Sequence, residues 1–280
     1  MILTSLKSDS LKPWLCKHDA IVALQNAVKE IPMNLFFNDP QDPQDPDETT
    51  EAENAEAMDN LVDGVLVIPV NGVLVQDCTD LEAAILGLQS YEEIRELVDF
   101  AKTSDQVQAA VLCINSPGGE AANCFETASM IRELAEIKPT IAFVSGLCAS
   151  AAYFLACGAE LIYCQPSSEI GCVGTLLGWY DSSKQLEAAG VKMDLIKSGD
   201  YKGIMPEIPL TESHRKMLQH TVDLHGAMFR DFVKAARPQI DVANLQGQDF
   251  VGVEAVDLGF ADSLANRLEV AIADALKMTK

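Results

Sequence analysis

From residue 64 onward, short continuous apolar runs alternate with helix-periodic segments, which predicts an α/β domain built on parallel strands. Ala109-Ala110-Val111-Leu112-Cys113-Ile114 shows no polar alternation, as a strand buried on both faces requires. A Gly-containing turn and a helical pattern follow it, and the same succession recurs after Thr140-Ile141-Ala142-Phe143-Val144. Strand, turn, helix, strand in that order implies right-handed helical crossovers between parallel neighbours.

The elements follow in order. Gly64–Val75 is β-branched and punctuated by Gly72, reading as one or two strands. Tyr91, Ile94, Leu97, Val98 and Ala101 recur at helical spacing over 90–103. After Ala109–Ile114 come the turn Asn115-Ser116-Pro117-Gly118-Gly119 and a helix over 120–137. Thr140–Val144 leads through a turn at Gly146 to a helix of small residues over 149–157, and Leu161-Ile162-Tyr163-Cys164 is a third buried strand. Leu195-Ile196-Lys197 reads as a strand running into the Gly-flanked loop Ser198-Gly199-Asp200-Tyr201-Lys202-Gly203. An amphipathic helix over 211–236 and a shorter one over 264–277 complete a domain expected to span 64–280.

What precedes that domain has a different texture. Asp39-Pro40-Gln41-Asp42-Pro43-Gln44-Asp45-Pro46-Asp47 is a short repeat, and Asp39–Asp63 holds ten acidic residues with no Lys or Arg. Repeated proline forbids a helix and self-repelling carboxylates cannot bury a core, so 39–63 reads as a flexible acidic, Pro-rich linker. Residues 1–38 read as an N-terminal arm with one short amphipathic helix, Ala20–Val28.

Composition narrows the function. Apolar residues make up 48% of 280, enough for a sizeable core. Twenty Lys and Arg against 42 Asp and Glu leave a net charge of −22. Such a chain lacks the basic face that nucleic acid or an anionic membrane surface would need. No apolar run reaches membrane-spanning length, and the first residues do not resemble a signal peptide, so neither a membrane anchor nor secretion is expected. Eight cysteines form no Cys-x-x-Cys pair and sit mostly within apolar segments. They read as small buried hydrophobes in a reducing, cytoplasmic compartment, with no metal site and no cofactor.

Two loops at the carboxyl ends of adjacent strands are where such a sheet carries chemistry. Pro117-Gly118-Gly119 can aim backbone N–H groups at an anion, or be a turn and nothing more. Ser150, in Gly146-Leu147-Cys148-Ala149-Ser150-Ala151-Ala152-Tyr153, sits between strand and helix like a nucleophile on a tight elbow. The ordinary reading of a serine there is an N-cap. A nucleophilic serine needs a base. His18 lies in the arm, and His214, His220 and His225 crowd onto the late helix, where surface positions are expected. Lys202 in its Gly-flanked loop is the alternative, provided burial holds it neutral; otherwise it is a solvated charge.

The order of Asn-Ser-Pro-Gly-Gly, Ala-Ser-x-x-Tyr, Gly171-Cys172-Val173-Gly174 and Lys-Ser-Gly-x-x-Lys resembles the signal peptide peptidase A family of serine–lysine peptidases. That family shares the fold of the Clp protease subunit and the crotonases. The resemblance covers 64–262, including the late Gly252–Asp262. It implies Ser150 as nucleophile and Lys202 as general base, with the N–H groups of Ala151 and of Gly119 or Gly118 as oxyanion hole. It further implies a polypeptide substrate and a homo-oligomer. The long N-terminal arm resembles the phage head-maturation branch, whose substrates are capsid and scaffold proteins. Two departures stand out: Ser-Gly-Gly-Tyr is here Ser150-Ala151-Ala152-Tyr153, and Gln248 replaces a usual arginine. No histidine follows Ser150 at the distance a Clp-type triad needs. A crotonase-like acyl-CoA enzyme, or an inactive scaffold on the same fold, are the alternatives.

Overall fold

The computed structural model describes the backbone of Trp14–Cys16 and residues 57–279. The predicted arm helix Ala20–Val28 and the Asp-Pro-Gln repeat lie outside the described residues.

Four parallel strands form the centre of a mixed sheet: β3 (Val65–Val75), β5 (Ala109–Glu120), β6 (Thr140–Ala149) and β7 (Leu161–Cys164), side by side in the order β7-β6-β5-β3. Helices α2 (Tyr91–Thr103), α3 (Cys124–Ile137) and α4 (Ala151–Ala156) make the connections, which is the α/β architecture the alternation predicts. β2 (Leu61–Val62) pairs antiparallel with β3, and Ala57 is buried, so the folded body reaches into the segment expected to be linker. A short α1 (Asp80–Leu86) and β4 (Leu88–Ser90) follow β3. β8 (Glu169–Gly171) pairs with β6 and with β9 (Asp249–Val251), while β10 (Ser263–Leu264) extends the sheet beyond β7. Strand β1 (Trp14–Cys16) pairs antiparallel with the end of β5.

Alternation along the strands divides the core. Leu66, Ile68, Leu112, Ile114 and Val144 face α2, α3 and α4, whereas Val65, Val111, Ile141 and Phe143 face Ala271, Ile272 and Ala275 of α7 (Leu268–Met278). Both faces are thus covered, which is why the strands read as unbroken apolar runs. The 25-residue α6 (Glu212–Ala236) packs on α4 through Phe229, stacked on Phe154 with centroids 4.7 Å apart. Arg237, just past α6, is buried and grips Asp262 through both carboxylate oxygens, at 2.9 and 2.6 Å.

Three local expectations are corrected. Pro117-Gly118-Gly119 is not a turn; β5 runs through it to Glu120. Gly146 likewise lies inside β6. Where Ile114 pairs with Val144 and Ser116 with Cys148, β6 spends four residues against two of β5, so the glycine marks a bulge. Leu195–Lys197 forms no strand: between α5 (Ser183–Ala188) and α6 there is no regular element.

Candidate active site

Ser150 occupies the single residue between β6 and α4, with φ 56° and ψ −118°. A non-glycine residue held there stores about 1–3 kcal/mol of backbone strain. The surroundings impose it. Ser150 N–H donates to the Gly171 carbonyl at 2.8 Å, and its own carbonyl accepts from Phe154 N–H at 2.9 Å. Gly171 is fixed in turn, because the next residue, Cys172, donates its N–H to the Gln248 carbonyl at 2.7 Å. Small neighbours Ala149, Ala151 and Ala152, all fully buried, allow the tight passage.

The Ser150 side chain makes no capping bond to α4. That removes the N-cap alternative. Its Oγ is almost wholly buried and has one partner, the Gly174 carbonyl, at 3.5 Å. This is the outer limit of a hydrogen bond, so the hydroxyl is only lightly held. Ala151 follows as the first residue of α4, and its N–H belongs to the first-turn set that no carbonyl within the helix can satisfy.

Gly118 and Gly119 lie on the neighbouring strand. Gly118 has φ 93°, and its N–H is engaged by Ser116 Oγ at 3.1 Å; that hydroxyl donates onward to the Gly72 carbonyl at 2.7 Å. Gly119 is obligatory for a different reason: a Cβ there would fall 1.7 Å from the Leu74 carbonyl oxygen.

Lys202 is exposed in the isolated chain, and no hydrogen bond joins it to Ser150. The burial expected of a lysine base is absent. Its loop closes through Lys202 N–H to the Gly199 carbonyl at 3.1 Å. The loop is moored by His214, whose Nε2 lies 3.0 Å from the Asp200 carbonyl. His214 is therefore buried rather than at the surface. Behind the loop, Trp179, Met193, Leu195, Met205 and Ile208 line a cavity of about 250 Å³. Val191, Met193, Ile196 and Tyr201 are exposed on the same stretch, Ile196 at 99%.

Gly171, Cys172 and Gln248 all stand out in the sequence, but the part their backbone plays is not legible there. The Gln248 side chain closes its own loop on Ala243 and Gln246, while its carbonyl serves the site. The seven described cysteines are free thiols. Cys124, Cys148, Cys157 and Cys164 are fully buried, whereas Cys78, Cys113 and Cys172 are half-buried. Burial pushes the Cys157 thiol up to about 12, and Cys148 is raised by the same cause.

The chain is similar to proteins of known description. Head-tail preconnector protein GP5 of Enterobacteria phage P21 is 32% identical over 211 residues, covering 74% of this chain and 42% of that protein. Capsid assembly protease C of Escherichia phage lambda is 30% identical over 210 residues, covering 74% and 47%. The chain thus spans less than half the length of these two relatives. Among solved structures, ClpP1 from Listeria monocytogenes is similar at 12% identity and a TM-score of 0.45, covering 79% of this chain and 98% of that one. The family model for peptidase family S49 matches residues 132–278, more than half of the 280. That match takes in both the strand ending at Ser150 and the loop carrying Lys202, and the chain belongs to peptidase family S49.

Proposed function

We propose that the chain is a serine endopeptidase with Ser150 as nucleophile and Lys202 as general base. The observation that carries this reading is the backbone of Ser150, strained into a strand-to-helix elbow while its hydroxyl is excused from capping. Ser150 Oγ attacks the scissile carbonyl carbon as the Lys202 amine takes its proton. The carbonyl electron pair moves onto oxygen, where the N–H groups of Ala151 and Gly119 meet it; losing one such donor costs about 3–4 kcal/mol. Gly118 is the alternative second donor; its N–H would have to leave Ser116 Oγ, 3.1 Å away. Collapse breaks the C–N bond, Lys202 returns the proton to the leaving amine, and water activated by the same amine releases the acyl group.

A lysine serves as base only as the free amine, which requires that solvent be stripped from it. The exposed apolar stretch Val191–Tyr201 supports a homo-oligomer in which a second copy covers the Lys202 loop. Residues 1–38 and 39–63, ahead of the chemistry, act as arm and linker, with the folded body taking up the last few linker positions. The relatives named for capsid assembly and head-tail connection support capsid or scaffold polypeptides as substrates, met in the cytoplasm of an infected cell or inside a procapsid. Among the described residues no helix is long and apolar enough to cross a membrane.

The test is a fluorophosphonate probe on the full chain, with the labelled peptide mapped. The label is expected on Ser150 and absent from Ser150→Ala. Lys202→Arg and Lys202→Ala should both react at least 100-fold more slowly, since a guanidinium does not deprotonate. Wild-type labelling in Lys202→Arg would move the base elsewhere, with His214 the next candidate.

A further inference from the structure

We infer that the chain's own strand β1, Trp14–Cys16, is a built-in competitor that occupies the peptide-binding edge of the active site and must leave before a substrate can enter. The inference rests on the reading of Ser150 as nucleophile. Its basis is sheet topology. β1 pairs antiparallel with β5 in the register Trp14↔Glu120, Leu15↔Gly119 and Cys16↔Gly118. A strand has two edges, and at Gly118 and Gly119 one is taken by Val73 and Leu74 of β3. The other edge belongs to β6 as far as the pair Ser116↔Cys148, and β6 turns away at Ser150, two residues later. β1 therefore continues the sheet in the lane β6 vacates, beside the nucleophile and across from Gly119.

An extended peptide laid on that edge would be held by main-chain hydrogen bonds, whatever its sequence. This is the recognition a protease of broad specificity needs, and β1 uses the same edge. Three residues of pairing make a weak hold. Covalent connection makes it effective: β1 belongs to the same chain as the folded body, joined to it by residues 17–56, so its return to β5 is intramolecular and needs no bimolecular encounter. Good substrates at high local concentration, as inside an assembling shell, displace it; sparse peptides do not.

The test uses the full chain with two sets of substitutions. Alternate residues of a strand send their N–H groups to the same edge, so either Leu15→Pro or the pair Trp14→Pro with Cys16→Pro removes N–H donors aimed at β5. At least one set is expected to lower KM for a fluorogenic peptide about tenfold with kcat unchanged. It should also abolish the hydrogen-exchange protection of whichever of the Gly119 and Glu120 amides faces β1, leaving the amide that faces β3 protected. A synthetic peptide of residues 10–20 should restore the wild-type KM when added to that variant. Unchanged KM and unchanged exchange in both sets, with Ser150 still labelled by fluorophosphonate, would overturn the inference and leave the peptidase reading standing. Absence of serine labelling in wild type and both variants would instead sink the peptidase reading, and this inference with it.

Discussion

Replacing Ser150 by glycine should make the protein more stable while leaving it inert. The side chain has little to lose: it caps nothing, and its one hydrogen bond is 3.5 Å long. Ser150→Ala is therefore expected to hold wild-type stability within about 0.5 kcal/mol. Ser150→Gly additionally releases the cost of φ 56°, about 1–3 kcal/mol. The extra freedom of glycine in the unfolded chain takes back about 0.5–1 kcal/mol. The net gain is about 1 kcal/mol, or about 2–4 °C in Tm for a body of this size. Reversible denaturant unfolding of the three proteins, with fluorophosphonate labelling alongside, reads both effects. An ordinary N-cap behaves otherwise: alanine loses about 1 kcal/mol and glycine a few tenths. If Ser150→Ala lost that much and Ser150→Gly fell below wild type, the strained-elbow argument would be wrong.

Ile196→Glu places a charge on the most exposed apolar side chain of the Lys202 loop; sedimentation should show smaller species, with serine labelling falling in step and circular dichroism unchanged. Arg237→Ala removes a buried guanidinium from the Asp262 carboxylate, which is solvent-accessible and also accepts the Ile162 N–H at 2.7 Å, and should cost about 1.5–3 kcal/mol by chemical denaturation. The thiols of Cys157 and Cys148 are fully buried and raised above their ordinary value of 9.0. Their contribution to stability is complete below pH 9 and is lost as pH climbs toward about 12, because only the unfolded chain ionises there. Under reducing conditions, stability should fall above pH 9 by up to about 1.4 kcal/mol per pH unit for each such thiol. A flat profile to pH 11 would contradict their burial.

Much of the architecture was readable because it is local. Continuous apolar runs mark β5, β6 and β7, and the spacing of Tyr91, Ile94 and Val98 marks α2, whose N-cap Ser90 accepts from the Glu93 N–H. The errors share a cause. Glycine and proline punctuate turns and bulges alike, so Pro117-Gly118-Gly119 and Gly146 looked like ends of strands when they are irregularities within them. Leu195–Lys197 has strand composition without a neighbouring edge to pair with, and composition alone does not supply one. His214 was expected on the surface because α6 reads as polar there; its burial depends on a loop folding back from Asp200. The position of Ser150 was legible, but its role was not, since a cap and a nucleophile have the same neighbours in sequence. The dihedral angles and the missing capping bond set the side-chain cap aside; the nucleophile is the proposal that labelling tests.

The hydrogen bonds that hold Ser150 in place also set a timetable for biosynthesis. Residues through β7 contain the parallel core and can pair as they leave the ribosome. The turn at Gly171–Cys172, from which the Ser150 N–H hangs, is pinned by the Gln248 carbonyl, which is translated some 75 residues later. At about 5–20 residues per second that interval is about 4–15 s. A nascent chain therefore spends seconds with its four central strands made and its elbow slack. The elbow is fixed only once residue 248 has been made, so synthesis order alone keeps Ser150 slack in a chain that has not reached it.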